Sequence, residues 1–387
     1  MRKSKKREKI KSLKKLITFI VIILFIELFY ALYVFIYRSH DHVYFDGINS
    51  IVETDNYYIS SGSNNDNDKG YEKAKLTIYN KKGDKIKEKL YSNEYTSIFY
   101  DSEVDDGYVA VGSYEENRKK DDSKNTKGLF VKYDENLDMV FEKSLGVGSK
   151  SYFSSIKVVD DGYLVVGASN CKKEDCGAYL VRYDKEGEIV WSSRYGDSNY
   201  GSFREIKIID DYIYVSGLIN KNQACIVKYD MDGNFIKEYI YDSDDNIGFS
   251  DLVNIDNYIY VVGSKDNNSV IVKLNKDLSY YGESSYTSSY KSRFNRIIVD
   301  KNNDLVVIGS VYTDSDDGII AKYDYNLVLK DIVRYGDDED DYFTDIIESD
   351  GGYLVSGYST YRSNYLYKFI KYSDTLKLLE SNQWKLL

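Results

Sequence analysis

At 387 residues the chain has room for one large repeat domain or two ordinary ones, and 42% apolar with 30% charged residues is the composition of a folded body, not of a disordered tail. Charge is unevenly placed: residues 1–15 hold nine Lys or Arg against Glu8 alone, while residues 38–387 hold 43 basic and 61 acidic groups, a net of −18. A body this acidic repels phosphate backbones, which argues against nucleic acid as a partner and leaves cations, basic proteins and neutral glycans.

Residues 1–15 read as a basic cytoplasmic head. Residues 16–37 follow as 22 residues, sixteen of them Leu, Ile, Val or Phe. At 1.5 Å per residue they cross a hydrocarbon core of about 30 Å. Their summed insertion energy, roughly −5 to −10 kcal/mol, outweighs about +3 kcal/mol for the single acid Glu27. No small-x-small cleavage site follows at Tyr37, Arg38, Ser39 or His40, so the segment reads as an uncleaved signal anchor, one N-terminal transmembrane helix. The positive flank places residues 1–15 in the cytoplasm and the rest outside, as a single-pass protein of the cell membrane. Residues 38–45 form a juxtamembrane linker.

From residue 46 to 381 seven repeats succeed one another, with residues 382–387 left as a tail. Each repeat is marked by a glycine ending its second apolar run: Gly62, Gly112, Gly167, Gly217, Gly263, Gly309 and Gly357. An aliphatic residue precedes each glycine (Ile51, Ile98, Ile156, Ile206, Leu252, Ile297, Ile346), and an apolar or aromatic one stands three residues before that (Ile48, Tyr95, Phe153, Phe203, Phe249, Phe294, Phe343). Ile98 and Ile297 stand farther from their glycines than the others, which predicts insertions in those two turns. In the third repeat the strands A to D are expected at residues 154–159, 163–166, 178–183 and 189–194, short β-branched and aromatic runs bounded by Gly, Asp or Asn. Four strands every 46–55 residues predict an all-β fold, a seven-bladed β-propeller of four-stranded antiparallel blades. In this register the last blade supplies its own outer strand from residues 375–381; a shifted register would complete it with residues 43–45.

The run Ile156-x-x-x-x-Asp161-Gly162-Tyr163-Leu164-Val165-x-Gly167, continued by Val181-x-Tyr183-Asp184-x-x-Gly187-x-x-x-Trp191 and Tyr195-Gly196, resembles the divergent propeller repeats of bacterial surface and secreted proteins. It is more distantly similar to quinoprotein-type repeats, whose D strand ends in a docking tryptophan. Trp191 fits that position and Phe141 is a partial substitute. The resemblance covers about residues 45–381 and implies a fold, with little about activity.

Strand alternation puts the B–C and D–A loops on one face. The B–C loops (63–74, 113–127, 168–177, 311–318, 358–364) are long and dissimilar, as binding loops on a rigid scaffold usually are. The D–A loops (194–203, 241–249, 334–343) are acidic and aromatic. Candidate ligand-binding residues are therefore Tyr195, Asp197, Tyr200, Asp244, Asp245, Tyr335, Asp337, Asp338 and Tyr342, with Tyr361 beside them. No cofactor is expected. Ca²⁺ is the one metal these carboxylates suggest, although Asp300-x-Asn302-x-Asp304 lacks the glycine and final glutamate of a calcium loop. Cys171 and Cys176 could pair within CKKEDC, and Cys225 reads as a buried free thiol.

The only histidines, His40 and His42, lie in the linker, so a Ser-His-Asp or Cys-His arrangement is not expected in the repeats. The reading is a non-enzymatic binding or scaffolding module for a protein or cell-wall glycan; the alternative is a carbohydrate-active hydrolase or lyase using carboxylates at the channel mouth.

Overall fold

The computed structural model describes residues 45–65, 71–91, 94–118, 124–146, 150–170, 177–196, 201–219, 223–241, 248–287, 290–336, 338–361 and 364–383. The expected cytoplasmic head and anchor (1–15, 16–37), His40 and His42, and Cys171 and Cys176 lie outside them. Among the described residues there are 28 strands and no helix, hence none long and apolar enough to cross a membrane. The strands fall into successive groups of four (46–90, 97–145, 150–195, 201–240, 248–286, 292–335, 341–383), each an antiparallel meander. The protein is a β-propeller.

Five groups are separate four-stranded sheets, not the seven expected; the remaining eight strands form one sheet. The cause is local. In the second group the strands Gly107–Arg118 and Lys124–Tyr133 outrun the outer strand Met139–Leu145, and Thr126, left uncovered, makes a single parallel bridge to Lys150 of the next group. In the third group the inner pair is longer than expected, Lys150–Val159 and Gly162–Asn170, while Gly177–Tyr183 and Ile189–Tyr195 stand where the repeat placed them. The last group takes its outer strand from its own Leu378–Gln383, and Phe45 adds only one parallel bridge to Tyr365.

Every innermost strand carries a β-bulge at the same place, two residues of it facing one on its partner. The bulge drives a carbonyl toward the facing strand, and the repeat glycine is there to receive it. A Cβ on Gly263 would lie 2.1 Å from the Gly248 carbonyl oxygen, and one on Gly309 only 1.8 Å from that of Arg293. The bulge also corrects the second repeat: Phe99, not Tyr95, stands opposite Gly112, and Ser102 takes the place of the aliphatic. The turn there is short, Asp105 pairing directly with Gly107, so the expected insertion is absent.

Apolar side chains fill the space between successive groups. One cluster joins Phe203 and Ile206 to Leu164 and Leu180; another joins Phe343 and Ile346 to Val306 and Ile320. Ile48, Ile51 and Tyr79 pack on Leu354, Tyr367 and Phe369, so the first group seals against the last and the ring closes without a shared strand. Each fully buried aliphatic or aromatic contributes roughly 1.5–3 kcal/mol. Outer strands such as Ile189–Tyr195 face solvent on alternate residues.

Tyrosine is chiefly a packing residue here. Tyr133, Tyr183, Tyr229 and Tyr372 on the third strands are almost wholly buried. The next residue, Asp134, Asp184 or Asp230, turns back to accept two backbone N–H bonds of the C–D turn, which explains the repeated Tyr-Asp pair. Trp191 does dock: a Cβ on Gly233, in the neighbouring group's turn, would meet its ring at 2.7 Å, and Phe141 stands in the same relation to Gly187. Both glycines have positive φ, +81° and +77°.

Candidate functional site

The bulges also build a cavity. The bulged residue after each repeat aromatic, or after Ile48 in the first repeat, lines a common space: Asn49, Tyr100, Ser154, Arg204, Ser250, Asn295 and Thr344 surround a cavity of about 470 Å³. Tyr152, Arg293 and Tyr342, on the other side of the same aromatics, complete it with Arg296 and Tyr358. These positions lie near the starts of the innermost strands, so the cavity opens on the face of the D–A and B–C loops.

Its electrostatics oppose those of the body. Three arginines line the cavity, and among the described residues no Asp or Glu does. Arg204 donates to Ser250 Oγ at 3.3 Å and Arg293 to Ser310 Oγ at 3.2 Å. Among the described residues neither has a carboxylate within ion-pair distance. Surrounding protein atoms depress the Arg204 pKa, opposed by nearby Tyr152, and Arg293 adds repulsion. Tyr100 and Tyr152 meet edge to face at 6.0 Å, and Tyr342 and Tyr358 approach to 5.0 Å.

One step below lies a polar ring. Asp101 accepts from Ser50 and Ser155 hydroxyls at 3.0 and 2.9 Å and from the Ile156 N–H at 3.0 Å. Asp251 likewise accepts from the Ile297 N–H at 3.0 Å, and Asp345 from the Ile51 N–H at 2.8 Å. One device thus ties neighbouring groups together, the last to the first included. Arg296 lies 2.6 Å from Glu205 and 3.5 Å from Asp345, with Lys207 3.5 Å from Glu205. Burial tends to raise the Glu205 pKa, but Lys207 and Arg296 overcome it and hold it below the usual range.

Asp345 goes the other way. Burial lifts its carboxyl to about 6, with Arg296 and the Ile51 N–H opposing and Asp101 adding to the rise. A native acid with a raised pKa holds its proton more tightly than the unfolded chain, so this contribution weakens as pH rises from about 4 to 6, by roughly 3 kcal/mol in all. Denaturant unfolding of wild type and Asp345→Asn should therefore show a stability difference that changes across that window and is flat above about pH 7. A constant difference from pH 4 to 7 would rule Asp345 out as the source.

Of the residues singled out from sequence, Tyr342 lines the cavity, its hydroxyl donating to Asp316 at 2.8 Å. Tyr195 is packed against Phe203 and Phe235 and hydrogen-bonded to Glu238. Tyr335 packs on Phe343, its hydroxyl 3.1 Å from Ser381. Asp338 is exposed. Asp197, Tyr200, Asp244, Asp245 and Asp337 lie outside the described residues, as does the side chain of Tyr361. Asp300 is committed elsewhere: it accepts the Asn302 and Asp304 N–H groups and the Tyr353 hydroxyl, with Lys322 at 2.8 Å. Among the described residues no group of three His, Cys, Asp or Glu is arranged to hold a metal ion. Cys225 is a buried free thiol whose pKa burial pushes up to about 12. The arginines escaped sequence reading, although one signal locates them: each flanks, or lies two residues after, a repeat aromatic.

No protein-family model matches the chain, and no curated protein sequence does. Solved structures do. A Bacteroides fragilis protein named as a candidate 6-phosphogluconolactonase is matched over 85% of this chain and 94% of its own, at 11% identity and a TM-score of 0.54. A complex of KlAtg21 with the coiled coil of AgAtg16 is matched over 88% and 100%, at 12% identity and 0.52. The β-propeller domain of the trilobed protease from Pyrococcus furiosus is matched over 88% and 95%, at 10% identity and 0.48. What the first two share with this chain is the fold.

Proposed function

We propose that the chain is a seven-bladed propeller held outside a bacterial cytoplasmic membrane by residues 16–37, and that it serves as a non-enzymatic binding or scaffolding module. Its partner is a protein or cell-wall glycan, engaged through the face where the cavity opens. The count of seven takes each half of the eight-stranded sheet as one blade. The support for it is the core around Val109, Phe130, Phe153 and Tyr163, which lies between those halves as other cores lie between separate sheets. The anchor rests on the length and apolarity of its segment alone.

The observation that carries the binding reading is the cavity itself: a roomy, polar and aromatic hollow with three arginines and, among the described residues, no carboxylate in its lining. The ring carboxylates beneath it already accept backbone and side-chain donors. Crosslinking on intact cells tests the reading. A photoreactive residue replacing Tyr312, half-exposed on the cavity face, should capture a defined partner, while one replacing Glu186 on the opposite face should not. Equal capture from both faces would sink the choice of surface, and sugar release from wall preparations by the purified protein would move the reading to the carbohydrate-active alternative.

A further inference from the structure

We infer that the cavity at the propeller axis takes an anionic sugar, its carboxylate or phosphate held between Arg204 and Arg293 and its ring lying against the tyrosines. This rests on the binding reading above and adds the chemistry of the ligand.

Arg204 and Arg293 are both exposed on one hollow and, among the described residues, have no carboxylate partner, which leaves two cations facing the same space. Several inward cations elsewhere are ion-paired, Lys132 with Asp105, Lys322 with Asp300, Lys368 with Asp341 and Arg296 with Glu205, while buried Lys273 donates to the Tyr325 carbonyl instead. Among the described residues Arg204 and Arg293 have serine hydroxyls as hydrogen-bond partners and no carboxylate. Both line the same cavity and repel each other, so an oxyanion between them would relieve repulsion as well as supply charge-assisted bonds. The remaining lining favours a sugar over an acidic peptide. Tyr100, Tyr152, Tyr342 and Tyr358 line it with aromatic rings, while Asn49 and Asn295, each amide donating one bond to the Phe99 or Phe343 carbonyl, retain a second N–H and an amide oxygen. Phe343 is the one apolar side chain among the lining residues. The volume of about 470 Å³ lies within the roughly 300–1,000 Å³ of small-ligand sites. Because the net charge of residues 38–387 is −18, an anion reaches this site only if its local field is positive, which makes the two arginines decisive for affinity.

The test uses the full chain purified in detergent, titrated by calorimetry with glucuronate, glucose 6-phosphate, glucose and a short glutamate-rich peptide. At least one anionic sugar should bind at least about ten-fold more tightly than glucose, and the stronger of the two identifies carboxylate or phosphate as the preferred group. Arg204→Gln and Arg293→Gln should each weaken that binding by about ten-fold or more, and the double variant should abolish it. An unchanged melting temperature for the double variant keeps loss of binding from being loss of fold. The inference is overturned if neither anionic sugar binds, if glucose binds equally well, if the peptide binds more tightly than both sugars, or if the double variant binds like wild type. Partner capture through Tyr312 that persists in the double variant would leave the binding reading standing while removing this one.

Discussion

Replacing Gly263 with alanine should destabilise the propeller by about 3 kcal/mol or more, among the largest effects expected of a single added methyl group. The backbone at Gly263 is not in a left-handed conformation, so the usual argument from glycine's freedom does not apply. What forbids a side chain is the inner-strand bulge, which brings the Gly248 carbonyl oxygen to 2.1 Å from where a Cβ would sit. Relief requires moving the bulge, and with it Ser250 and Asp251, which line the cavity and the ring below it. Gly282 supplies the control: it lies on the outer strand Tyr280–Tyr286, and a methyl group added there would meet nothing within 4 Å, so Gly282→Ala should be neutral or stabilising by less than about 1 kcal/mol. Denaturant melts of the two variants decide it. Equal stability would mean that the repeat glycine has some role other than admitting the bulge.

The same geometry explains what could be read from the chain and what could not. Strand order and the glycine positions are written in local chemistry that recurs, so each copy reinforces the others. The second repeat is misread where that chemistry lapses: Ser102 replaces the aliphatic, and a search anchored on apolar residues slides to Ile98 and Tyr95. The fusion of two groups into one sheet depends on how far the strand starting at Lys124 outruns its neighbour, which loop composition does not encode. The cavity is hidden for a different reason. Its lining comes from the positions beside the repeat aromatics, where residue identity changes from copy to copy, so Arg204 and Arg293 do not look like a pair. Acid-rich D–A loops draw attention instead, although the described part of the site is cationic. Strand alternation does place the cavity on the face of those loops, and four of the five acidic candidates there, Asp197, Asp244, Asp245 and Asp337, lie outside the described residues.

Arg296→Met should cost about 3–5 kcal/mol at neutral pH, because it removes the cation from a buried set of carboxylates and leaves their desolvation uncompensated. Arg296 lies between Glu205 and Asp345, and Lys207 reaches Glu205 and Asp251 from the other side. Glu205 therefore keeps a partner in the variant, while Asp345 keeps only the backbone N–H groups of Ile51 and Ile346. The loss should fall mainly on the joint between the last group and the first. Two signatures follow. The destabilisation should shrink as pH drops toward 5, where Asp345 takes up a proton, and Asp345→Asn should recover about 1–3 kcal/mol in the Arg296→Met background. Arg204 and Arg293 make the contrasting case: they line the same cavity without a carboxylate to neutralise, so their replacement should leave stability within about 0.5 kcal/mol. The three arginines of the cavity divide in this way: one is ion-paired within the ring below, and two face the open hollow. If Arg296→Met proved no more costly than Arg204→Gln, or its cost did not vary between pH 5 and 7, the polar ring would not be what closes the propeller, and closure would rest on the apolar contact of Ile48 and Tyr79 with Leu354 and Phe369.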